Sequence, residues 1–301
     1  MHEFLVHTSI NARRFVMDHL RERLQRAKGG DGANTVLTTP DFDHSKNWLL
    51  KGLAGDGLPS AALSHASDFS PLAESTLREL FTPVPEWDGR PPLRSEAASF
   101  CDTAGLFHPV FIVPMVPVYN RKLIAKKDLT GSWTDLLVDG RRIVFPDRNT
   151  PISRAVLAYL KREWPDEYRD FRERLTFGGS PVEVIRAVGD GWYDMGVSNV
   201  SFALMASQRS VETYTPSQGA VVIPQVMAWS RGAPDELLYM RELLMEEGLQ
   251  RYLDEQGFWA VADLSPVGRG SATSWKSVWN GWSDFLEGLR ALAEEEACVH
   301  V

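Results

Sequence analysis

Two histidines stand where a metal ion or an anion could be bound. His7 comes directly after the short apolar segment Leu5–Val6, and His65 follows a second apolar segment. Both segments are predicted strands, and open α/β sheets bind their ligands outside the carboxyl ends of parallel strands. Asp68 or Tyr214 could complete a metal-binding set with the two imidazoles. The alternative is that each histidine makes only local hydrogen bonds at the end of its strand.

Two predicted helix starts favour an anionic ligand. Ser9 precedes one helix, and Thr150 precedes another that has Pro151 in its first position, so both are predicted N-caps. Helix N-termini attract anions because their first N–H groups are unpaired, and Arg148 could add a bidentate contact. The simplest ligand is therefore a small oxyanion or carboxylate, the alternative being that both residues only cap. The predicted ligand-binding residues are His7, Thr8, Ser9, Ser64, His65, Ser67, Asp68, Asn120, Arg148, Asn149, Thr150, Tyr193, Asp194 and Tyr214.

Catalytic chemistry has no clear location in the sequence. Tyr193 and Asp194 could form a general acid pair, although such a pair more often has a structural role. The chain contains neither a Gly-x-Ser-x-Gly nucleophile elbow nor a glycine-rich phosphate loop. We therefore predict a protein that is not an enzyme and needs no cofactor. If it is an enzyme, Asp68, His65 and Asp194 are the candidate acids and bases.

Composition excludes several classes of protein. The chain has 301 residues, 44% hydrophobic and 24% charged, and a net charge of −8, which argues against a nucleic-acid surface. Cys101 and Cys298 are too isolated for a disulfide framework or a zinc site. The longest apolar run, Val110–Tyr119, is too short to span a membrane. Met1–Phe4 lacks the basic and apolar regions of a signal peptide, which predicts a cytoplasmic protein, or a periplasmic or cell-envelope protein whose leader was removed.

The order of elements predicts two lobes. A helix at about 11–26 lies between predicted strands, which is typical of a parallel, doubly wound sheet. Two apolar runs that contain prolines, within 110–118 and 219–229, are predicted to cross between the lobes. Residues 1–113 and 220–301, with the C-terminal helices, would form lobe 1, and residues 114–219 lobe 2. The aromatic stripe of the last helix is predicted to pack against lobe 1, the alternative being a partner surface.

An ordered series of segments resembles a known family. Tyr119–Asn120 is followed by Ser132–Leu137, with its Trp-x-Asp-Leu-Leu pattern, and then by Gly140–Asp147, which ends in Pro-Asp. Val188–Gly196 adds a helix end and glycines, and Trp192–Val197 is a predicted strand. Over residues 110–261 this order resembles the extracellular solute-binding proteins of ABC transporters that include the ferric-iron binders.

The resemblance implies a type 2 periplasmic-binding fold, with two doubly wound α/β lobes joined by two crossover segments. It implies a monomer that captures a small polar or anionic ligand, or a metal ion or its complex, by hinge closure and delivers it to an ABC permease. The ferric-iron members usually carry adjacent tyrosines, whereas only Tyr214 lies in that region here. Two alternatives use the same bilobal fold, namely a cytoplasmic enzyme and a cytoplasmic ligand sensor.

Overall fold

The computed structural model describes residues 1–27, 34–40, 47–205, 210–264 and 275–299. Contacts divide the chain into two compact units. Unit 1 consists of Met1–Ile112 and Pro224–Ser274, and unit 2 consists of Val113–Ile223 and Trp275–Val301. The chain therefore passes between the units at three places, where the sequence predicted two.

The described part of the chain is a mixture of strands and helices, as predicted. The strands are β1 (His2–Val6), β2 (Thr35–Thr38), β3 (Ala61–His65), β4 (Phe81–Thr82), β5 (His108–Asn120), β6 (Ile143–Phe145), β7 (Thr176–Phe177), β8 (Met195–Asn199), β9 (Val211–Thr213), β10 (Val221–Ser230) and β11 (Trp259–Ala260). The helices are α1 (Ile10–Arg26), α2 (Trp48–Lys51), α3 (Glu74–Leu80), α4 (Pro151–Glu163), α5 (Pro165–Arg174), α6 (Pro181–Gly189), α7 (Val200–Met205), α8 (Leu238–Met245), α9 (Glu247–Glu255) and α10 (Trp282–Val299). None of these helices is both long enough and apolar enough to cross a bilayer.

Unit 1 is built on parallel strands. β1 lies between β2 and β3 and runs parallel to both. β10 runs antiparallel to β3, with Gln225 opposite His65. α1 buries Val16 and Leu20, and its Phe15 ring stacks on Tyr252 of α9 at a centroid distance of 3.5 Å. This order places the carboxyl ends of β1 and β3 side by side, next to the first unit 1 residues of β10.

Unit 2 has a second parallel set. β6 lies between β7 and β8 and runs parallel to both, while β5 runs antiparallel to β8. α4 begins as predicted, because the Thr150 side chain accepts a hydrogen bond from the Ser153 amide and Pro151 occupies the first turn. α6 begins with a capping box of Ser180 and Glu183.

Prolines mark two of the places where the chain changes units. β5 is buried along its whole length, and its unit boundary falls between Ile112 and Val113, beside Pro114. The boundary in β10 falls directly before Pro224. Proline has no N–H to donate to a strand ladder, so regular pairing is weakest at these residues.

The C-terminal segment does not belong to the unit that the sequence predicted. Residues after Trp275 are part of unit 2, where α10 packs along α4. Lys161 Nζ donates to the Ala291 carbonyl at 3.1 Å, and Arg162 forms an ion pair with Asp284. The apolar stripe predicted which face of α10 is buried, but it carried no information on the helix that this face packs against. Small residues allow α10 and α4 to approach closely, since a Cβ atom at Gly288 would lie 3.7 Å from the Cβ of Ala158.

Candidate functional site

A buried cluster of polar side chains lies at the carboxyl ends of β1 and β3. His7 Nδ1 is 2.7 Å from Asp68 Oδ2. Ser64 Oγ donates to the same carboxylate oxygen, and Trp48 Nε1 lies 3.2 Å from it and 2.8 Å from Ser64 Oγ. His7, Ser64 and Asp68 are residues that the sequence predicted for the site. The structure brings them together around one carboxylate.

A second chain of hydrogen bonds reaches the neighbouring histidine. Gln225 Nε2 is 2.9 Å from His65 Nδ1, and Thr8 Oγ1 donates to Gln225 Oε1 at 2.8 Å. The imidazoles of His7 and His65 meet edge to face with a centroid distance of 4.9 Å. The two hydrogen-bond chains therefore converge on one pair of imidazoles, which we call the imidazole pair.

The supporting groups determine what each imidazole can offer to a ligand. Gln225 donates its amide N–H to His65 Nδ1, so the proton of a neutral His65 lies on Nε2. His7 donates Nδ1–H to Asp68, which leaves Nε2 as an acceptor when His7 is neutral and as a donor when it is protonated. The imidazole pair can thus bind an oxyanion through N–H groups whose orientation is fixed by a second layer of residues.

Asp68 supplies the negative charge of the cluster. Desolvation alone would raise the pKa of Asp68, but the attraction of His7, with the hydrogen bonds of His7 and Ser64, lowers it to about 2. The Oδ2 atom already accepts from His7, Ser64 and Trp48. Asp68 is therefore suited to orient His7 and is a poor candidate for a general base.

The structure supplies no third metal ligand beside the two histidines. Within the described residues, no group of three His, Cys, Asp or Glu side chains has a geometry that could hold a metal ion. Tyr214, one of the two residues predicted to complete such a set, belongs to unit 2.

Ser9 and Ser67 differ from their predicted roles or contacts. Ser9 is the N-cap residue of α1, but its side chain makes no capping hydrogen bond and instead donates to Asn11 Oδ1 at 2.7 Å. The prediction of a side-chain cap is therefore wrong, because a cap requires the Ser9 oxygen to accept from a backbone N–H of the first turn, and no such bond is formed. Ser67 Oγ is buried, and it makes no hydrogen bond to any residue in the described part of the chain. A ligand could supply that partner.

In unit 2 the predicted site residues lie at two opposite edges of the sheet. Arg148, Asn149 and Thr150 follow β6 at its carboxyl end, as predicted. Tyr193 and Asp194 precede β8, which begins at Met195 and not at Trp192, so they lie at its amino end. Asn120 ends the antiparallel strand β5 and lies at that same amino edge. The argument from strand carboxyl ends was therefore wrong for Tyr193 and Asp194.

The residues at the amino edge hold elements of unit 2 together. Asn120 Nδ2 donates to the Val188 carbonyl of α6 at 2.7 Å. Asp194 forms an ion pair with Arg142 at 2.6 Å. Desolvation would raise the pKa of Asp194, but the hydrogen bonds and the charge of Arg142 lower it. An ionised, paired Asp194 cannot act as a general acid with Tyr193, whose ring is half-buried against the apolar core.

Tyr214 is hydrogen-bonded to the buried carboxylate of Asp135. Its hydroxyl donates to Asp135 Oδ2 at 3.0 Å, and the amides of Thr130 and Gly131 donate to the same carboxylate at 3.0 Å each. Burial and the negative charge of Asp135 raise the pKa of Tyr214 far above its ordinary value. Metal-binding tyrosines act as phenolates, so Tyr214 is poorly suited to be a ligand.

The residues at the start of α4 are also occupied. Thr150 Oγ1 donates to the Asp147 carbonyl at 2.8 Å, and the Asn149 amide donates to Asp147 Oδ1 at 2.9 Å. The Arg148 guanidinium lies over the Phe177 ring at 5.2 Å from its centroid. These contacts fix the conformation of the loop after β6.

Sequence reasoning missed two residues of the imidazole cluster. Gln225 gave a usable signal, because it is the single polar residue between Val221 and Trp229 and a buried polar side chain needs a partner. Trp48 gave none, since its indole N–H meets Ser64 and Asp68 only through the fold.

Comparison with known proteins agrees with this architecture. Residues 74–285 match the family model described as bacterial extracellular solute-binding protein. A search of curated proteins found no match.

Solved structures share the fold over nearly the whole chain. A ferric binding protein from Campylobacter jejuni has 14% identity and a TM-score of 0.76, with 98% of each chain covered. Iron-bound HitA from Pseudomonas aeruginosa has 15% identity and a TM-score of 0.71, with 98% of each chain covered. An apo ferric ion-binding protein A from Pasteurella haemolytica has 12% identity and a TM-score of 0.74, covering 97% of this chain and 95% of the other. The fold is that of the type 2 periplasmic-binding proteins, and the chain belongs to the bacterial extracellular solute-binding protein family.

Proposed function

We propose that this protein binds a small anionic solute at the imidazole pair of His7 and His65 and delivers it to an ABC-type permease. The observation that carries the proposal is the support of the pair from two sides, by Asp68 and by Gln225. Groups held by satisfied partners lose little freedom on binding, so their donors favour association. Membership of a solute-binding family supports transport as the purpose of the site.

The chemistry of the cluster favours an oxyanion or carboxylate over a bare metal ion. The His7 imidazole is bonded to Asp68 through Nδ1, so its Nε2 is the ring atom that can face an anion, and it is a donor when the ring is protonated. The tyrosine pair of the ferric-iron binders has no counterpart in the predicted region, and Tyr214 is bonded to Asp135. A metal–carboxylate complex is the second candidate, because a structural relative from Trichodesmium holds iron and citrate ligands.

Calorimetric titration tests the proposal directly. Phosphate, sulfate, citrate, ferric citrate and ferric ion are titrated separately into the folded protein. We expect one of the anions or the citrate complex to bind, and His65→Ala to lose that binding. His2→Ala is the matched control, because His2 lies at the amino end of the same strand β1 and should leave the affinity unchanged. Binding of bare ferric ion alone, or an unchanged affinity in His65→Ala, would contradict the anion site.

We propose further that the bound solute is released unchanged, so that the protein is not an enzyme. Asp68 and Asp194, two of the candidate acids and bases, are held as ionised carboxylates by His7 and Arg142. The solute-binding family supports a location outside the cytoplasmic membrane and argues against the cytoplasmic enzyme or sensor. Recovery of a chemically altered solute after incubation with the protein would show that this part of the proposal is wrong.

A further inference from the structure

A second polar cavity lies in unit 2, beside the loop that follows β6. α4, α5 and α10 enclose a volume of ≈ 660 Å³. Its lining includes Arg148, Lys161, Tyr168, Arg172, Glu295 and Glu296. Arg169 and Glu173 line the cavity as well. Lys161 is paired with Glu295, and Arg169 is paired with Asp166.

Both arginines contact one aromatic ring. The guanidinium groups of Arg148 and Arg172 lie 5.2 Å and 5.1 Å from the centroid of Phe177. Stacking on a ring fixes the plane of a guanidinium and leaves its edge N–H groups free to donate. The pair therefore presents donors in a fixed arrangement.

These two arginines share one carboxylate. Arg172 donates to Glu296 Oε1 at 3.1 Å, whereas Arg148 Nε is 3.9 Å from the same oxygen, which is beyond a hydrogen bond. The Arg148 guanidinium makes no hydrogen bond to any residue that the structure describes. Glu296 is hydrogen-bonded to only one of the two guanidinium groups, so the N–H groups of Arg148 can donate to a further anion.

A buried hydroxyl group without a partner lines the same cavity. Tyr168 is 3% exposed, and its Oη makes no hydrogen bond within the described residues. Leaving a buried hydroxyl unsatisfied costs about 1–3 kcal/mol, and native structures rarely do so without a reason. Its position beside Arg172 adds a third donor to the set.

We propose that Arg148, Arg172 and Tyr168 form a second binding site for a small oxyanion of the phosphate or carboxylate type. Arginine binds such groups through paired N–H donors, and the phenol O–H supplies the donor that an oxyanion oxygen accepts. This site is distinct from the imidazole pair, since its residues lie in the loop after β6, on α5 and in β7 of unit 2, beside α10.

Inorganic phosphate is the probe, and His65→Ala is the background in which the imidazole pair cannot contribute. Phosphate is titrated by calorimetry into the full chain, and its effect on Tm is followed in parallel. We expect Arg148→Gln to weaken phosphate binding by about tenfold or more, which corresponds to one charge-assisted hydrogen bond. Tyr168→Phe should weaken binding less, because it removes a neutral donor.

Two further variants separate binding from folding. Glu296→Gln removes the competing carboxylate and should tighten phosphate binding, a change that structural damage would not produce. Arg186→Gln is the matched control, because Arg186 is an exposed arginine on α6 of the same unit and does not line the cavity. It should leave the affinity unchanged.

The outcomes distinguish this site from the solute site. Phosphate binding that survives His65→Ala and falls in Arg148→Gln supports the second site, whether or not the solute proposal holds. No phosphate binding in the His65→Ala background, or equal affinity in wild type and Arg148→Gln, would overturn it. Loss of solute binding in His65→Ala bears only on the imidazole pair.

Discussion

At the scale of single residues, the imidazole cluster depends on one buried charge. Asp68 is buried, yet it stays ionised because His7, Ser64 and Trp48 surround the same oxygen atom. Removing a partner from such a network leaves the others unsatisfied, which costs more than the bond itself contributes. The stability of the cluster should therefore depend on the protonation of Asp68.

Asp68→Asn should change how stability varies with pH. The folded pKa of Asp68 is about 2, against about 3.9 in an unfolded chain. A lowered folded pKa adds stability that is complete above the unfolded pKa and is lost as pH falls from about 4 towards 2. We expect the urea midpoint of the wild type to fall more steeply over this range than that of Asp68→Asn.

Other carboxylates also contribute to the pH dependence of stability. Asp135 and Asp194 also have lowered pKa values, so some pH dependence should remain in the variant. Asp18→Asn, on the exposed face of α1, is the control and should behave like the wild type. Identical slopes for the wild type and Asp68→Asn would show that His7 does not hold the Asp68 charge.

Tyr214→Phe distinguishes a structural tyrosine from a ligand. The substitution removes the hydroxyl that donates to buried Asp135, so we expect a loss of about 1–3 kcal/mol in the free energy of unfolding. Solute affinity should stay at the wild-type value. Denaturant unfolding and calorimetry measure the two quantities, and lost affinity with unchanged stability would restore Tyr214 as a ligand.

At the scale of elements, α4 joins the loop after β6 to the C-terminal helix. Its N-terminus is fixed by Thr150, and its length packs against α10. Helix starts at strand carboxyl ends serve both as folding signals and as anion sites, so the two roles of Thr150 must be separated by experiment.

Thr150→Ala should cost about 0.5–2 kcal/mol of stability through loss of the cap, whereas Thr150→Ser should keep most of it. Urea unfolding provides the measurement. If capping is the whole role of Thr150, solute affinity measured well below the unfolding transition should be equal in both variants. A drop in affinity for Thr150→Ala alone would show that the hydroxyl also contacts the solute.

At the scale of the whole molecule, the chain passes from one unit to the other three times, and two of these passages lie beside a proline. Capture by hinge closure, which the resemblance implies, stays a prediction, as does the monomeric state. Light scattering should give the mass of one chain.

A solute that closes the protein should reduce its radius of gyration in small-angle scattering. The change should appear on addition of the solute identified by calorimetry and should be absent in His65→Ala, which serves as the control. A wild-type radius that is the same with and without saturating solute would exclude closure as the mechanism.

Sequence and structure agree most closely where the signal is local. The start of α4 at Thr150-Pro151 and the capping box of α6 at Ser180 were predictable, because every group involved lies within three residues. The boundaries of β8 were predicted about three residues too early. Tyr193 and Asp194 lie at the amino edge of the sheet because they come before β8 and not after it. They also stand at the start of the predicted strand, so the rule of strand carboxyl ends did not apply to them.

The sequence by itself therefore determined the helix and strand types, the parallel α/β class and the resemblance to solute-binding proteins, all of which rest on short-range patterns. Only the tertiary structure decided which polar groups meet. His65 and Gln225 are 160 residues apart in the chain, and α10 meets α4 across 130 residues between Lys161 and Ala291. Such contacts are selected by the packing of whole elements, in which complementary shape and buried hydrogen bonds act together, and no local pattern encodes them.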